Sequence, residues 1–122
     1  MNKTMQRISD ATMTVIQHGG RRNIGNYRVF EDGGFVVVEY RGTDVATFDL
    51  GPKRRVRLNT GTYYTATTKN VMNAALRGAQ APYTVFQKDY SWFIDDDGRG
   101  PVDFIDNEWI TKYPLTATTT SP

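Results

Sequence analysis

The sequence predicts an α+β domain: a mainly antiparallel, twisted sheet of about five to seven short strands, with one short helix, about residues 69–77, packed on it. Three observations carry this. Runs rich in β-branched and aromatic residues are separated by the turn-forming stretches Asp32-Gly33-Gly34, Arg41-Gly42-Thr43-Asp44 and Gly51-Pro52-Lys53-Arg54. The period changes to helical spacing once, at Val71, Met72, Ala75 and Leu76. An aromatic hairpin, residues 83–94, then closes the run.

Taken in order, residues 1–9 are polar and read as a frayed end. Residues 11–17, ATMTVIQ, are β-branched and partly alternating and read as a strand, with a short helix capped by Ser9 or Asp10 as the alternative. His18-Gly19-Gly20-Arg21-Arg22-Asn23 reads as a loop. Residues 25–44 form the first hairpin about Asp32-Gly33-Gly34, and the near-continuous apolar run from Phe35 to Tyr40 marks a central strand. Residues 45–50 are the next strand. After the turn at Pro52, residues 55–59 alternate, with Val56 and Leu58 inward and Arg55 and Arg57 outward.

Residues 62–66, TYYTA, read as a strand by propensity. Thr67 or Thr68 is then a candidate helix cap, and Gly78 a stop. Residues 83–87 and 90–94 flank Lys88-Asp89 as a hairpin. Residues 102–110 read equally as a short helix or an extended segment. The chain is expected to be one domain, 1–122, with a core of about 11–110 and flexible ends at 1–9 and 114–122.

Composition excludes several chemistries. The 122 residues contain no cysteine, which removes disulfides, thiolate catalysis and cysteine-based zinc sites. No run approaches the ~20 apolar residues of a membrane span, so no membrane association is expected. His18 is the sole histidine and has no evident partner to orient it as a base. No glycine cluster forms a phosphate loop. Asp95-Asp96-Asp97-Gly98 invites a calcium loop, but counting from Asp95 places Arg99 at position five and Asp106 at twelve, and the motif fails. No cofactor or metal is therefore expected, and an enzyme is the least favoured class.

Charge is unevenly placed, although the net value is only +2. Asp95, Asp96, Asp97, Asp103, Asp106 and Glu108 form an acidic stretch, either a solvated surface or a contact with a partner or with another copy of the chain. Lys53, Arg54, Arg55 and Arg57 form a basic turn that could meet phosphates, with Tyr63 and Tyr64 on the following segment available to stack on bases.

Tyr40-x-Gly42-Thr43-Asp44-x-x-Thr47-Phe48, Leu58-Asn59-Thr60-Gly61, Thr65-x-Thr67-Thr68-Lys69-x-x-Met72-Asn73 and Val85-Phe86-Gln87-Lys88-Asp89-x-x-Trp92 occur in that order. Together they resemble a small domain family common in tailed-bacteriophage genomes. The resemblance covers about residues 24–94, with Thr62 where the pattern often has a second glycine. It implies a phage accessory protein and carries over no catalytic residue.

Three expectations follow for function. The first is a non-enzymatic binding protein acting on a host factor, in its most specific form an inhibitor of a bacterial defence system, with the acidic stretch as the contact. The second is a virion or assembly component, adding strand edges to a neighbour. The third is a nucleic-acid or nucleotide binder using the basic turn. The expected location is the host cytoplasm or the virion.

Overall fold

The computed structural model of the chain describes residues 2–96 and 101–110. In chain order these residues form α1 (Lys3–His18), β1 (Arg21–Ile24), β2 (Tyr27–Asp32), β3 (Phe35–Tyr40), β4 (Thr43–Asp49), β5 (Val56–Leu58), α2 (Ala66–Gly78), β6 (Tyr83–Lys88), β7 (Ser91–Asp96), β8 (Pro101–Asp103) and β9 (Trp109–Ile110). The fold is α+β and antiparallel, as the sequence predicts. One sheet runs β1-β2-β3-β4-β5-β9 and a second runs β6-β7-β8. The surplus over five to seven strands comes from very short pairings: β8 has three residues and β9 two.

The first helix corrects the reading of residues 1–17. Residues 3–18 are helical, so neither a frayed end nor a strand stands there, and the cap is Asn2, whose side chain accepts from Met5 N at 2.8 Å. The apolar spacing Met5, Ile8, Ala11, Val15 is helical, and all four are buried. Thr12 and Thr14 donate to the carbonyls of Ile8 and Asp10 four residues back, at 2.8 and 2.9 Å. That bond lets β-branched residues sit in a helix whose apolar stripe outweighs their strand propensity. Gly19 and Gly20 turn the chain, and Arg21-Arg22-Asn23, read as loop, belong to an edge strand paired with β2.

The second helix begins earlier than predicted. Thr65, not Thr67 or Thr68, is its cap, its hydroxyl accepting from Thr68 N at 3.2 Å. Residues 62–66 form no strand: Tyr63 and Tyr64 sit in the loop before the helix. Gly78 is the last helical residue, and its role is steric rather than conformational. A Cβ there would overlap the Ser9 carbonyl oxygen and lie 2.9 Å from Thr12 Cβ, so α1 and α2 meet at this point.

The register fixes which side chains share a face. Val29, Val38, Ala46 and Leu58 line up across β2–β5, with Val36, Phe48, Val56 and Ile110 in the next row across β3, β4, β5 and β9. These residues form one core with Ile8 and Val15 of α1, Val71, Met72 and Leu76 of α2, and Tyr83, Val85, Trp92 and Ile94 of the smaller sheet. The helices and the smaller sheet therefore lie on one face of the larger sheet. Asn73 on α2 also closes the edge of β6: its side-chain amide donates to Val85 O at 2.9 Å and its oxygen accepts from Val85 N at 2.8 Å. These two bonds occupy the outward N–H and C=O of Val85, one position on that strand edge.

The closing hairpin turns at Asp89-Tyr90, one residue later than Lys88-Asp89, because Lys88 pairs with Ser91. Both turn residues have positive φ, 52° and 68°, the geometry of a type I′ turn that favours Asn-Gly. Tyr90 is 96% exposed and gains no packing in return. Tyr90→Gly is therefore expected to raise stability by about 0.5–1 kcal/mol, seen as a rise of a few degrees in a thermal melt. Residues 102–110 contain no helix: they run from β8 through a turn into β9.

Candidate functional site

The outer face of the six-stranded sheet carries the residues that alternate with the core row. Arg21, Phe30, Val37, Thr47, Arg57 and Trp109 align across β1, β2, β3, β4, β5 and β9. Phe35 pairs with Asp49, and Arg28 with Glu39 and then Asp44, to either side of that row. Val37 is buried but lies outside the core cluster, and among the described residues no helix covers this face.

The aromatic rings on the face are stacked with guanidinium groups. Arg55 and Arg57 stand 4.3 and 4.6 Å from the centre of the Trp109 ring. Arg21 and Arg28 stand 5.9 and 5.3 Å from that of Phe30. Phe35 lies 6.0 Å from Trp109. Two of the arginines are also anchored to carboxylates: Arg28 Nε donates to Glu39 at 2.5 Å and Arg55 Nε to Asp49 at 2.9 Å. Among the described residues Arg21 and Arg57 form no ion pair.

Among the described residues the four arginines balance four carboxylates on the same face, Asp32, Glu39, Asp44 and Asp49, which makes these residues a neutral mosaic. The Gly51 N–H holds the Asp49 carboxyl below the usual carboxylate range, with Arg55 adding to the effect. Asp44 is pushed the other way, by burial and then by the Glu39 charge. A raised folded-state pKa means that ionised Asp44 weakens the fold at neutral pH. Asp44 is nonetheless exposed and screened by solvent, so Asp44→Asn should raise the melting temperature at pH 7 only slightly. The gain should shrink as the pH falls through the raised pKa toward the ordinary carboxylate value.

The basic turn is thus divided. Arg55 and Arg57 reach the outer face, whereas Lys53 and Arg54 are exposed in the turn before β5. Neither predicted tyrosine meets the arginines. Tyr64 sets its ring edge-on to Trp92 at 5.2 Å and its hydroxyl donates to Asp106 at 3.0 Å, while Tyr63 lines a separate cavity. The aromatic partner of the arginines is Trp109, 52 positions after Arg57, which sequence reading missed. Its only signal was a tryptophan at an alternating position in an ambiguous segment.

The acidic stretch does not form one surface. Asp106 accepts from Thr60 N at 2.7 Å and from the Thr60 hydroxyl at 2.8 Å, besides Tyr64. It ties the approach to β9 onto the loop before α2. Asp96 is buried, Asp95 is half-buried on β7, and Asp103 and Glu108 are exposed. Asp97 lies outside the described residues, as does the 116–122 tail. Among the described residues no three His, Asp or Glu side chains are grouped as metal ligands. His18 is exposed at the end of α1.

A cavity of about 340 Å³ opens where the β3–β4 turn, the β5–α2 loop and the start of α2 converge. It is lined by Tyr40, Arg41, Thr43, Val45, Thr60, Tyr63, Thr65, Thr67 and Thr68. The short motifs scattered along residues 40–68 therefore meet in space. Gly61 allows the approach: with φ +63°, any Cβ there would come within 2.6 Å of Thr43 Oγ1.

Fold and surface define a small α+β domain with helices on one sheet face and, on the other, an arginine–aromatic mosaic that no described element covers. It is a bacteriophage protein: residues 5–116 match the Kyanoviridae Gp96 protein family, and the chain belongs to that family. The match extends the 24–94 resemblance to both α1 and β9. No curated protein and no solved structure matches the chain. No helix among the described residues is long and apolar enough to cross a membrane.

Proposed function

We propose that this phage protein works by binding rather than catalysis, and that a host protein docks on the open face of the six-stranded sheet. The observation that supports this reading is the pair of cation–π stacks, Arg55 and Arg57 on Trp109 and Arg21 and Arg28 on Phe30. Arginine and large aromatic side chains dominate protein–protein binding energy, and stacking holds them in place before a partner arrives. Balanced charge favours a folded protein over a polyanion, because nucleic-acid affinity grows with the number of phosphates neutralised. Among the described residues Arg21, Arg57, Asp32 and Asp44 are the groups of this face without an ion pair, left to meet complementary charges on that partner. The most specific version, from the sequence, is that the partner belongs to a host defence system.

Affinity capture from infected cells tests the reading, using the wild type, the Arg21→Glu/Arg57→Glu double variant and the Asp95→Lys/Asp103→Lys/Glu108→Lys triple variant. A host protein retained by the wild type and the triple variant after nuclease treatment, and lost with the double variant, supports docking on the sheet. Loss only with the triple variant would return the contact to the acidic stretch. A second reading, single-stranded nucleic acid on Trp109, draws on the same stacks. It requires oligonucleotide binding that falls steeply with salt.

A further inference from the structure

We propose that the cavity beside Arg41 binds a nucleoside 5′-monophosphate, independently of the sheet face. Among the described residues lining it, Arg41 is the sole charged one and none is a carboxylate. Among the described residues no hydrogen bond occupies the Arg41 guanidinium or the hydroxyls of Thr43, Thr67 and Tyr63. A cation and three unused hydroxyls around one hollow suit an oxyanion, for which arginine is the geometrically matched donor.

The remaining wall suits a planar ring. Tyr63 is 66% exposed. Tyr40 is stacked on Tyr27 at 4.8 Å, which fixes its ring, and the Arg41 guanidinium lies 5.3 Å from the Tyr40 centroid. Bases of any identity stack on such rings. The volume of about 340 Å³ is at the small end of ligand sites, the size of one nucleotide rather than a dinucleotide. The phosphate would take Arg41 and the threonine hydroxyls, and the base would lie on Tyr63.

Arg41 also provides a clean test. It occupies the first position of a two-residue turn at φ 51°, followed by Gly42 at 83°. Arg41→Gly removes the guanidinium and relieves the backbone, so lost binding cannot be blamed on unfolding.

Isothermal titration would use AMP, GMP, CMP and UMP, with the matching nucleosides and inorganic phosphate in parallel. At least one monophosphate should bind one-to-one with a dissociation constant below about 1 mM. Its nucleoside and inorganic phosphate should each bind at least about tenfold more weakly. Arg41→Gly should weaken the nucleotide by about tenfold or more at an unchanged or higher melting temperature, and Arg41→Lys should recover part of the loss. Arg57→Glu should leave it unaltered, which separates this site from the sheet face. The proposal is overturned if no monophosphate binds at 1 mM, if Arg41→Gly binds as the wild type does, or if inorganic phosphate alone binds as tightly.

Discussion

Replacing Gly78 with alanine should destabilise the protein by about 3 kcal/mol or more. That loss would lower the melting temperature by roughly 10 °C for a chain of this size. The sign makes the test sharp. In an exposed helix, glycine to alanine stabilises by about 1 kcal/mol. Here the added methyl would overlap the Ser9 carbonyl oxygen and press on Thr12 Cβ. Ser9 and Thr12 are themselves buried on α1 and have no room to withdraw. The two helices would have to separate, opening the core that Ile8, Val15, Met72 and Leu76 fill. A calorimetric melt decides it, and a rise in melting temperature would mean that α1 and α2 do not cross here.

Asp106→Ala should cost about 3 kcal/mol, and Asp106→Asn a smaller part of that. The carboxylate accepts three hydrogen bonds, from Thr60 N, the Thr60 hydroxyl and the Tyr64 hydroxyl. Thr60 is only 1% exposed, so its N–H would lose its partner away from water. The bond to Asp106 also raises the Tyr64 pKa, which stabilises the fold at neutral pH and loses that effect as the pH rises through the raised value. Urea unfolding of both variants measures the loss, and an unchanged midpoint would remove Asp106 from the fold's supports. The result bears on function, because reduced partner capture by an Asp106 variant would report a weakened fold rather than a lost contact.

The legible parts of the sequence were those where local chemistry and long-range packing agree. Asp32-Gly33-Gly34 and Arg41-Gly42 turn where their glycines allow, and Val56 and Leu58 face inward as their alternation says. Residues 11–17 misled because threonine and valine favour strands locally. The stripe that makes α1 helical begins at Met5, in a stretch read as a frayed end. Thr65 is hard to recognise as a cap from sequence because Tyr63-Tyr64-Thr65 has the composition of a strand.

The site was less legible than the fold, for a physical reason. A basic turn can be seen in sequence, but its aromatic partner is brought to it by pairing of β5 with β9 across some fifty residues. The acidic stretch looked continuous because its residues are close in sequence. In space Asp106 turns to Thr60, Asp96 is buried and Asp103 faces solvent. The motifs at 40–44, 58–61 and 65–69 read as separate scaffold devices, and their convergence on one cavity depends on tertiary contacts that spacing does not encode.

Hydroxyl-radical footprinting, comparing the free protein with the complex recovered from infected cells, tests the binding face most directly. Trp109, Phe30 and Phe35 should lose reactivity in the complex, while Tyr90 at the far hairpin stays as reactive as in the free protein. Unchanged labelling of Trp109, Phe30 and Phe35, with protection instead at Tyr64, Tyr90 and Ile105, would place the partner elsewhere and contradict docking on the open sheet.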